Sequence, residues 1–205
     1  MTKSVADRAT ETNIHLILDM SGSMASIGQK EVLGSANKYI TDVKKSLPEA
    51  TIEVVVFDTE YEQVIASTKV SEVRKLLTKD YNPRGLTALY DAMGKTATAA
   101  KTGRNLFVVL TDGQENSSHE FTSELLKKLI KRSEKAGNQF IFLGANQDVV
   151  LEAGKIGIQP SAVKGYFATA AGYAGATAVA SNATIDWAAG KSVNLGNSSS
   201  TADPV

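Results

Sequence analysis

Four short apolar segments recur along the chain, and each is typical of a buried strand. Most contain Val, Ile or Phe without polar alternation, as parallel strands covered on both faces do. His15 interrupts the first of them. The segments are Ile14–Leu18, Ile52–Phe57, Leu106–Leu110 and Phe140–Leu143.

The segments between these strands carry apolar residues at spacings of three and four, the period of an amphipathic helix. Strands that alternate with such helices predict right-handed crossovers and a doubly wound α/β fold with a mostly parallel sheet and helices on both faces. The predicted helices lie over Ser26–Leu47, Leu89–Ala100 and Leu125–Ile130.

A hairpin breaks this alternation. Only Asp58, Thr59 and Glu60 separate the second strand from another extended stretch, Tyr61–Ser67. Because so short a connection permits no crossover, it predicts one antiparallel edge strand.

The chain after Leu143 gives weaker signals. We expect a short helix, a last strand and a helix of small residues, which either covers the sheet or packs against a partner. These segments are Asp148–Lys155, Ala162–Phe167 and Ala168–Ala189. The predicted organisation is a polar segment over 1–12, one domain over 13–190 and a flexible Ser/Asn/Gly-rich tail over 191–205.

Composition narrows the chemistry. The 205 residues contain 22 Lys plus Arg and 22 Asp plus Glu, and the zero net charge argues against a nucleic-acid or polybasic membrane-surface binder. The absence of Cys excludes a thiolate metal site, and the presence of only two His disfavours a multi-histidine site. Oxygen atoms must therefore hold any metal.

Neither a secretory nor a membrane-spanning segment is predicted, because the N-terminus is polar and the apolar runs are far shorter than about 18 residues. We expect a cytoplasmic location, or a virion-associated one if a phage encodes the protein.

Polar residues follow the predicted strands. Asp19, Asp58 and Asp112 each come after one, and a loop containing Asn146 and Asp148 follows another. Parallel strands bring their carboxyl ends to one edge, where open α/β sheets bind ligands. The competing interpretation is that these side chains cap helices.

Three separated segments supply hard oxygen donors. The first is Asp19-Met20-Ser21-Gly22-Ser23, and Thr87 and Asp112 stand in the other two. Two carboxylates and three hydroxyls suit Mg²⁺, with Mn²⁺ or Ca²⁺ as alternatives.

This set resembles the metal-ion-dependent adhesion site of the von Willebrand factor A domain family, over Asn13 to at least Leu143. The resemblance implies a Rossmann-like fold and a stand-alone bacterial or phage member. It implies that Ser21, Ser23 and sometimes Thr87 bind the metal through hydroxyls. Asp19 and Asp112 then act directly or through water.

The resemblance also implies non-catalytic protein binding. Neutral hydroxyls leave the charge of the cation incompletely neutralised, so an Asp or Glu of a partner protein can occupy an open position. No general base is evident, since His15 and His119 are expected to be structural or solvated.

Loops beside the metal would determine partner choice. For Asn146 and Asp148 helix capping is the alternative, and for Glu115 it is solvation. Asp58 is expected to be a turn residue. The candidate rim residues are Arg84, Gln114, Glu115, Asn116, Asn146 and Asp148.

Two other function classes remain open. Asp19 after a first strand suggests a Mg²⁺-dependent phosphotransferase, but Ser21 stands where an acidic partner of that nucleophile is needed. A structural or assembly subunit of a phage or bacterial complex is the other alternative.

Overall fold

The computed structural model describes residues 11–145 and 148–196. These residues form a sheet flanked by helices. The strands are β1 (Thr12–Asp19), β2 (Thr51–Phe57), β3 (Tyr61–Lys69), β4 (Arg104–Thr111), β5 (Gln139–Gly144) and β6 (Val163–Gly165). The helices are α1 (Gln29–Ser46), α2 (Leu89–Ala99), α3 (Ser123–Lys135), α4 (Val149–Lys155) and α5 (Ala170–Ala188).

The strand order is β3-β2-β1-β4-β5-β6, so β1 and β4 lie together at the centre. β3 pairs antiparallel with β2, and the other neighbouring strands pair in parallel. The predicted doubly wound sheet with an antiparallel edge strand is therefore confirmed.

The central strands are buried along almost their whole length, which explains their continuous apolar sequence. α1 packs against α5, where the Tyr39 hydroxyl and Thr184 Oγ1 share a 2.8 Å hydrogen bond, and α2 packs against α3. In a parallel sheet each such helix starts near the carboxyl edge, so the helix starts surround the strand ends.

The predicted first helix begins too early. Gly22–Ser26 forms a separate 3₁₀ helix, and α1 starts only at Gln29. Gly28 between them has φ +103°, a conformation that a helix does not continue through. The last three predicted elements occur within about three residues of the expected bounds. Most of the predicted tail and N-terminal segment lies outside the described residues.

His15 belongs to the core, as expected. Its Nδ1 lies 2.5 Å from Glu53 Oε1 and its Nε2 lies 2.9 Å from Asn105 Oδ1. Its ring stacks on Phe107, which stacks on Phe140. This row across the sheet satisfies a buried polar side chain and explains why a histidine interrupts the first strand.

Within the described residues, no helix is both long enough and apolar enough to span a membrane.

Candidate metal centre

Asp19 ends β1 and anchors the loop that follows. Its side chain is fully buried. One carboxylate oxygen accepts a 2.7 Å hydrogen bond from the backbone N–H of Ser21, and the other accepts a 2.5 Å bond from Thr111 Oγ1. The first bond folds the loop back over the strand end, and the second ties β1 to β4.

The serine hydroxyls extend this arrangement toward Asp112. The Oγ atoms of Ser21 and Ser23 are 3.1 Å apart, and Ser23 Oγ donates a 2.6 Å hydrogen bond to Asp112 Oδ1. Ser21 is buried, whereas Ser23 is exposed. The oxygens of the first segment thus form a chain from the buried Asp19 to a half-buried Asp112.

Thr87 completes the group across Gly113. A β-carbon on Gly113 would lie 2.8 Å from Thr87 Oγ1 and 3.5 Å from Asp19 Oδ2. The missing side chain leaves a small space between these two oxygens. All five residues predicted as metal ligands are therefore brought to one place at the centre of the carboxyl edge.

The loop that carries Thr87 is fastened to the loop after β1. The Arg84 N–H donates to the Met20 carbonyl at 2.9 Å, and the Gly22 N–H donates to the Gly85 carbonyl at 3.2 Å. Gly85 has φ +65°, and a β-carbon there would lie 2.8 Å from Thr59 Oγ1. Glycine is therefore required for this close approach.

Two buried tyrosines hold the ends of the central strands through hydrogen bonds to their last carbonyls. The Tyr81 hydroxyl donates to the Asp19 carbonyl at 2.6 Å, and the Tyr166 hydroxyl donates to the Thr111 carbonyl at 2.8 Å. These carbonyls stand at the ends of the two central strands. The sequence offered no signal for this support, because both tyrosines come from irregular segments far along the chain.

The site concentrates negative charge in a partly dry environment. Burial raises the pKa of Asp19 to about 6, although hydrogen bonds from Thr111 and Ser21 act in the opposite direction. Burial also raises the pKa of Asp112. Among the described side chains, none forms an ion pair with either carboxylate.

This donor set fits a hard divalent cation. Two carboxylates without a counter-ion among the described side chains converge with three neutral hydroxyls, and Thr87 Oγ1 and Asp19 Oδ2 border the space that a β-carbon on Gly113 would enter. The described residues contain no group of three or more His, Cys, Asp or Glu side chains arranged for a metal, so a cation bound here would need hydroxyl oxygens among its ligands.

The comparison with protein families agrees with this geometry. The model of the von Willebrand factor type A domain matches residues 13–179. The chain belongs to this family. A search of curated proteins found no match.

Solved structures share the fold of this von Willebrand factor A domain at low sequence identity. One is a von Willebrand factor type A protein from Catenulispora acidiphila, with TM-score 0.58, 16% identity, and 85% of this chain and 43% of that chain covered. The pilus adhesin SpaC from Lactobacillus rhamnosus GG, in an open conformation, gives TM-score 0.66 and 13% identity over 86% and 30% of the two chains. The manganese-loaded TRAP protein of Plasmodium vivax gives a TM-score of 0.54 and 17% identity. The match covers 78% of this chain and 69% of the TRAP chain. The chain thus spans less than half the length of the first two.

The side chain of Arg84, which the sequence predicts at the rim of the site, is hydrogen-bonded to the β2–β3 hairpin. Its Nε donates to Asp58 Oδ2 at 2.7 Å, and an Nη donates to Glu62 at 2.5 Å. Asp58 is buried and also accepts from the Glu60 N–H at 2.7 Å. The expected turn role of Asp58 is confirmed, and the pair with Arg84 adds a brace between the hairpin and the Thr87 loop.

Glu115, partly exposed, is hydrogen-bonded within its own loop and to the start of α2. Its carboxylate accepts hydrogen bonds from the backbone N–H groups of Tyr90, Ser117 and Ser118. These bonds satisfy donors at the start of α2 and within the loop after β4. Glu115 therefore has a structural role, and its predicted place in the partner-binding rim stays a prediction.

Asn116 holds Thr87 in place. Its Oδ1 accepts from the Thr87 N–H at 2.8 Å, and its own N–H donates to the Thr87 carbonyl at 3.1 Å. Gln114, earlier in the same loop, is exposed.

Asp148 is exposed at the position before α4, and its side chain makes no capping hydrogen bond there. The capping alternative is therefore wrong for Asp148. Asn146 lies outside the described residues. His119 is exposed in the loop before α3, and its backbone N–H donates to Asp91.

Proposed function

We propose that this domain binds a protein partner through a divalent cation held by Asp19, Ser21, Ser23, Thr87 and Asp112. Mg²⁺ is the expected ion, with Mn²⁺ and Ca²⁺ as alternatives. When bound, the cation supplies a positively charged position that an Asp or Glu of the partner can occupy.

One observation carries this proposal. A fully buried carboxylate, Asp19, and a half-buried one, Asp112, converge with hydroxyls at the centre of the sheet edge without a described cationic partner. Burying unpaired charge is expensive, and a bound cation removes that cost.

The residues have separate roles in this proposal. Asp19 supplies charge from below, and its hydrogen bond to Ser21 orients the serine loop. Asp112 supplies charge from β4 and orients the Ser23 hydroxyl. Thr87 adds a neutral oxygen from a braced loop, so the total protein charge at the site stays at two carboxylates.

Two proteins with a similar fold support a metal-dependent binding function. SpaC is named as a pilus adhesin, and the TRAP protein was obtained loaded with manganese. The position of His15 also supports protein binding rather than catalysis. His15 is four residues before Asp19, but its ring is in the core and contacts Glu53 and Asn105, so it is not placed to act as a general base at the site.

Isothermal titration calorimetry with Mg²⁺ and Mn²⁺ tests the metal site. We expect saturable binding of one ion by the wild-type protein and loss of at least 100-fold in affinity for Asp19→Ala and Ser21→Ala. Circular dichroism would show that both variants remain folded.

Matched substitutions at the same edge provide the controls. Ser26 is an exposed serine at the end of the 3₁₀ helix that follows Ser21, and Asp148 is an exposed aspartate at the carboxyl edge. Ser26→Ala and Asp148→Ala should bind the ion as the wild type does. Wild-type affinity in the Asp19 and Ser21 variants would disprove the metal site.

A further inference from the structure

The exposed large apolar side chains concentrate around the proposed metal centre. Of the six in the described part of the chain, four lie beside the ends of β2, β5 and β6, at the carboxyl edge of the sheet; the other two are Leu77, just before the 3₁₀ helix Thr78–Asp80, and Leu125, in the first turn of α3. None of the six is in the loops at the opposite edge, between residues 47–50 or 101–103. The four are Leu86 (55% exposed), Val150 (44%), Leu151 (67%) and Phe167 (61%). We call these four residues the apolar edge.

The apolar edge lies on both sides of the site. Leu86 is beside the end of β2, because its N–H donates to Thr59 Oγ1 at 3.1 Å. Val150 and Leu151 are in the first turn of α4, after β5. Phe167 follows Tyr166, whose N–H donates to the Gly144 carbonyl at the end of β5.

The strand order gives the approximate separation of the strand ends beside which these residues lie. Asp19 and Asp112 stand at the ends of β1 and β4, with β2 on one side and β5 and β6 on the other. Neighbouring strands lie about 4.8 Å apart, so the path from β2 to β6 covers about 19 Å. An extended chain of about six residues spans that length.

Charge at this edge limits what the partner carries. The exposed carboxylates of Glu60 and Glu62 flank Arg84, and Arg84 already pairs with the buried Asp58. On the other side, the exposed Asp148 precedes α4. A partner with several acidic groups would be repelled by these carboxylates. One carboxylate over the metal, with apolar neighbours, fits best.

We infer that the apolar edge binds an extended polypeptide segment of about six residues that has a single Asp or Glu between apolar side chains. This inference rests on the proposed function, because the carboxylate sits on the cation. From the strand spacing, we expect one apolar residue of the bound segment about two positions from its acidic residue, on the side of Leu86. The other stands about three positions away on the opposite side, toward Leu151 and Phe167.

Fluorescence anisotropy with labelled synthetic peptides tests this inference in saturating Mg²⁺. The probe is Leu-Ser-Glu-Ser-Ser-Leu together with its reversed order. The comparison peptides replace both Leu by Ser, or Glu by Gln. We expect one order of the Leu peptide to bind at least tenfold tighter than its Ser counterpart, and the Gln peptide to show no binding.

Variants of the apolar edge locate the effect on the protein. Leu86→Ser, and the double variant Leu151→Ser with Phe167→Ser, should each weaken binding of the Leu peptide by about threefold to tenfold. Binding of Mg²⁺, measured by calorimetry, should not change. Leu77→Ser is the matched control, since Leu77 is 51% exposed but lies outside the apolar edge, and it should behave as wild type.

The failures are distinguishable. Absence of Mg²⁺ binding by the wild type would overturn the proposed function. Normal Mg²⁺ binding with equal affinity for the Leu and Ser peptides, or with no peptide bound, would overturn only the apolar edge. Self-association of the wild type in light scattering that Leu86→Ser and the double variant abolish would also overturn it, because a second copy would then be the occupant.

Discussion

At the scale of single residues, Asp19 has the most demanding environment in the site. It is fully buried, and the described groups that compensate for this burial are the hydrogen-bond donors of Thr111 and Ser21. Such bonds offset part of the cost of burying a carboxylate, but not all of it, since its pKa is still raised to about 6. A residue so placed is best explained by a cation, because packing alone would favour an uncharged side chain.

This environment predicts a pH dependence of the metal-free protein. Because the folded state holds the Asp19 proton more tightly than the unfolded chain does, this residue destabilises the fold above pH 6 and less so as the pH falls toward 4. In chelator, Asp19→Asn should therefore raise the melting temperature by a few degrees at pH 7.5 and by much less at pH 4.5.

Differential scanning fluorimetry of the wild type and Asp19→Asn across this pH range measures the difference directly. Taking the difference cancels the titration of the other carboxylates. An equal effect of the substitution at both pH values would show that the carboxylate is not destabilising.

At the scale of elements, the loop between β4 and α3 is held by carboxylates rather than by regular structure. Asp91, in the first turn of α2, accepts hydrogen bonds from three successive backbone N–H groups of His119, Glu120 and Phe121, at 2.8–2.9 Å. Together with Glu115, it joins the start of α2 to the loop that carries Asp112. The position of Thr87, two residues before α2, depends on this joint.

Removing this anchor should destabilise the protein and weaken the site. Asp91→Ala leaves three N–H groups without their acceptor and should lower the free energy of unfolding by about 2–3 kcal/mol. Urea unfolding measures this loss, and the Mg²⁺ affinity should decrease with it. Asp42→Ala is the control, since its ion pair with Lys38 is at the surface and should contribute less than about 1 kcal/mol. Equal losses in the two variants would contradict the anchoring role.

The predictable and unpredictable elements differ in a physical way. The strands could be predicted because β1, β2, β4 and β5 are buried on both faces and are therefore mostly apolar. The hairpin could be predicted from its short connection. The start of α1 could not, because Gly28 interrupts a helical pattern whose apolar spacing continues through it.

The same distinction holds for the site. Asp19, Ser21 and Ser23 are close in sequence, and Thr87 and Asp112 stand in recognisable segments, so the five could be grouped. The residues that hold the site in place could not be predicted, because Glu115 and Asn116 belong to a segment with the composition of an ordinary polar loop. Their roles depend on backbone groups of Tyr90 and Thr87, more than 20 residues away, which leave no mark in the local sequence.

At the scale of the whole molecule, the proposed metal site connects segments that are distant in the sequence. The five oxygen-bearing residues come from the end of β1 and the loop after it, the loop before α2 and the first residue after β4. A ligand that binds all three only in the folded state adds its binding free energy to stability.

Cation binding should therefore stabilise the fold. At 100 times the dissociation constant, the gain is about 2.7 kcal/mol, which corresponds to a rise in melting temperature of about 5–10 °C for a domain of this size. Scanning calorimetry with Mg²⁺ and then with excess chelator should show the rise and its reversal. Asp19→Ala should show neither, and a similar rise in that variant would indicate that the ion binds elsewhere.

The position of the ion tests the central claim most directly. Crystals grown with Mn²⁺ allow the metal to be located by its anomalous scattering. We predict one strong anomalous peak at the carboxyl edge, enclosed by oxygens of Ser21, Ser23 and Thr87 and by the carboxylates of Asp19 and Asp112. A fully occupied Mn²⁺ elsewhere, or no peak between these residues at a saturating Mn²⁺ concentration, would contradict the account.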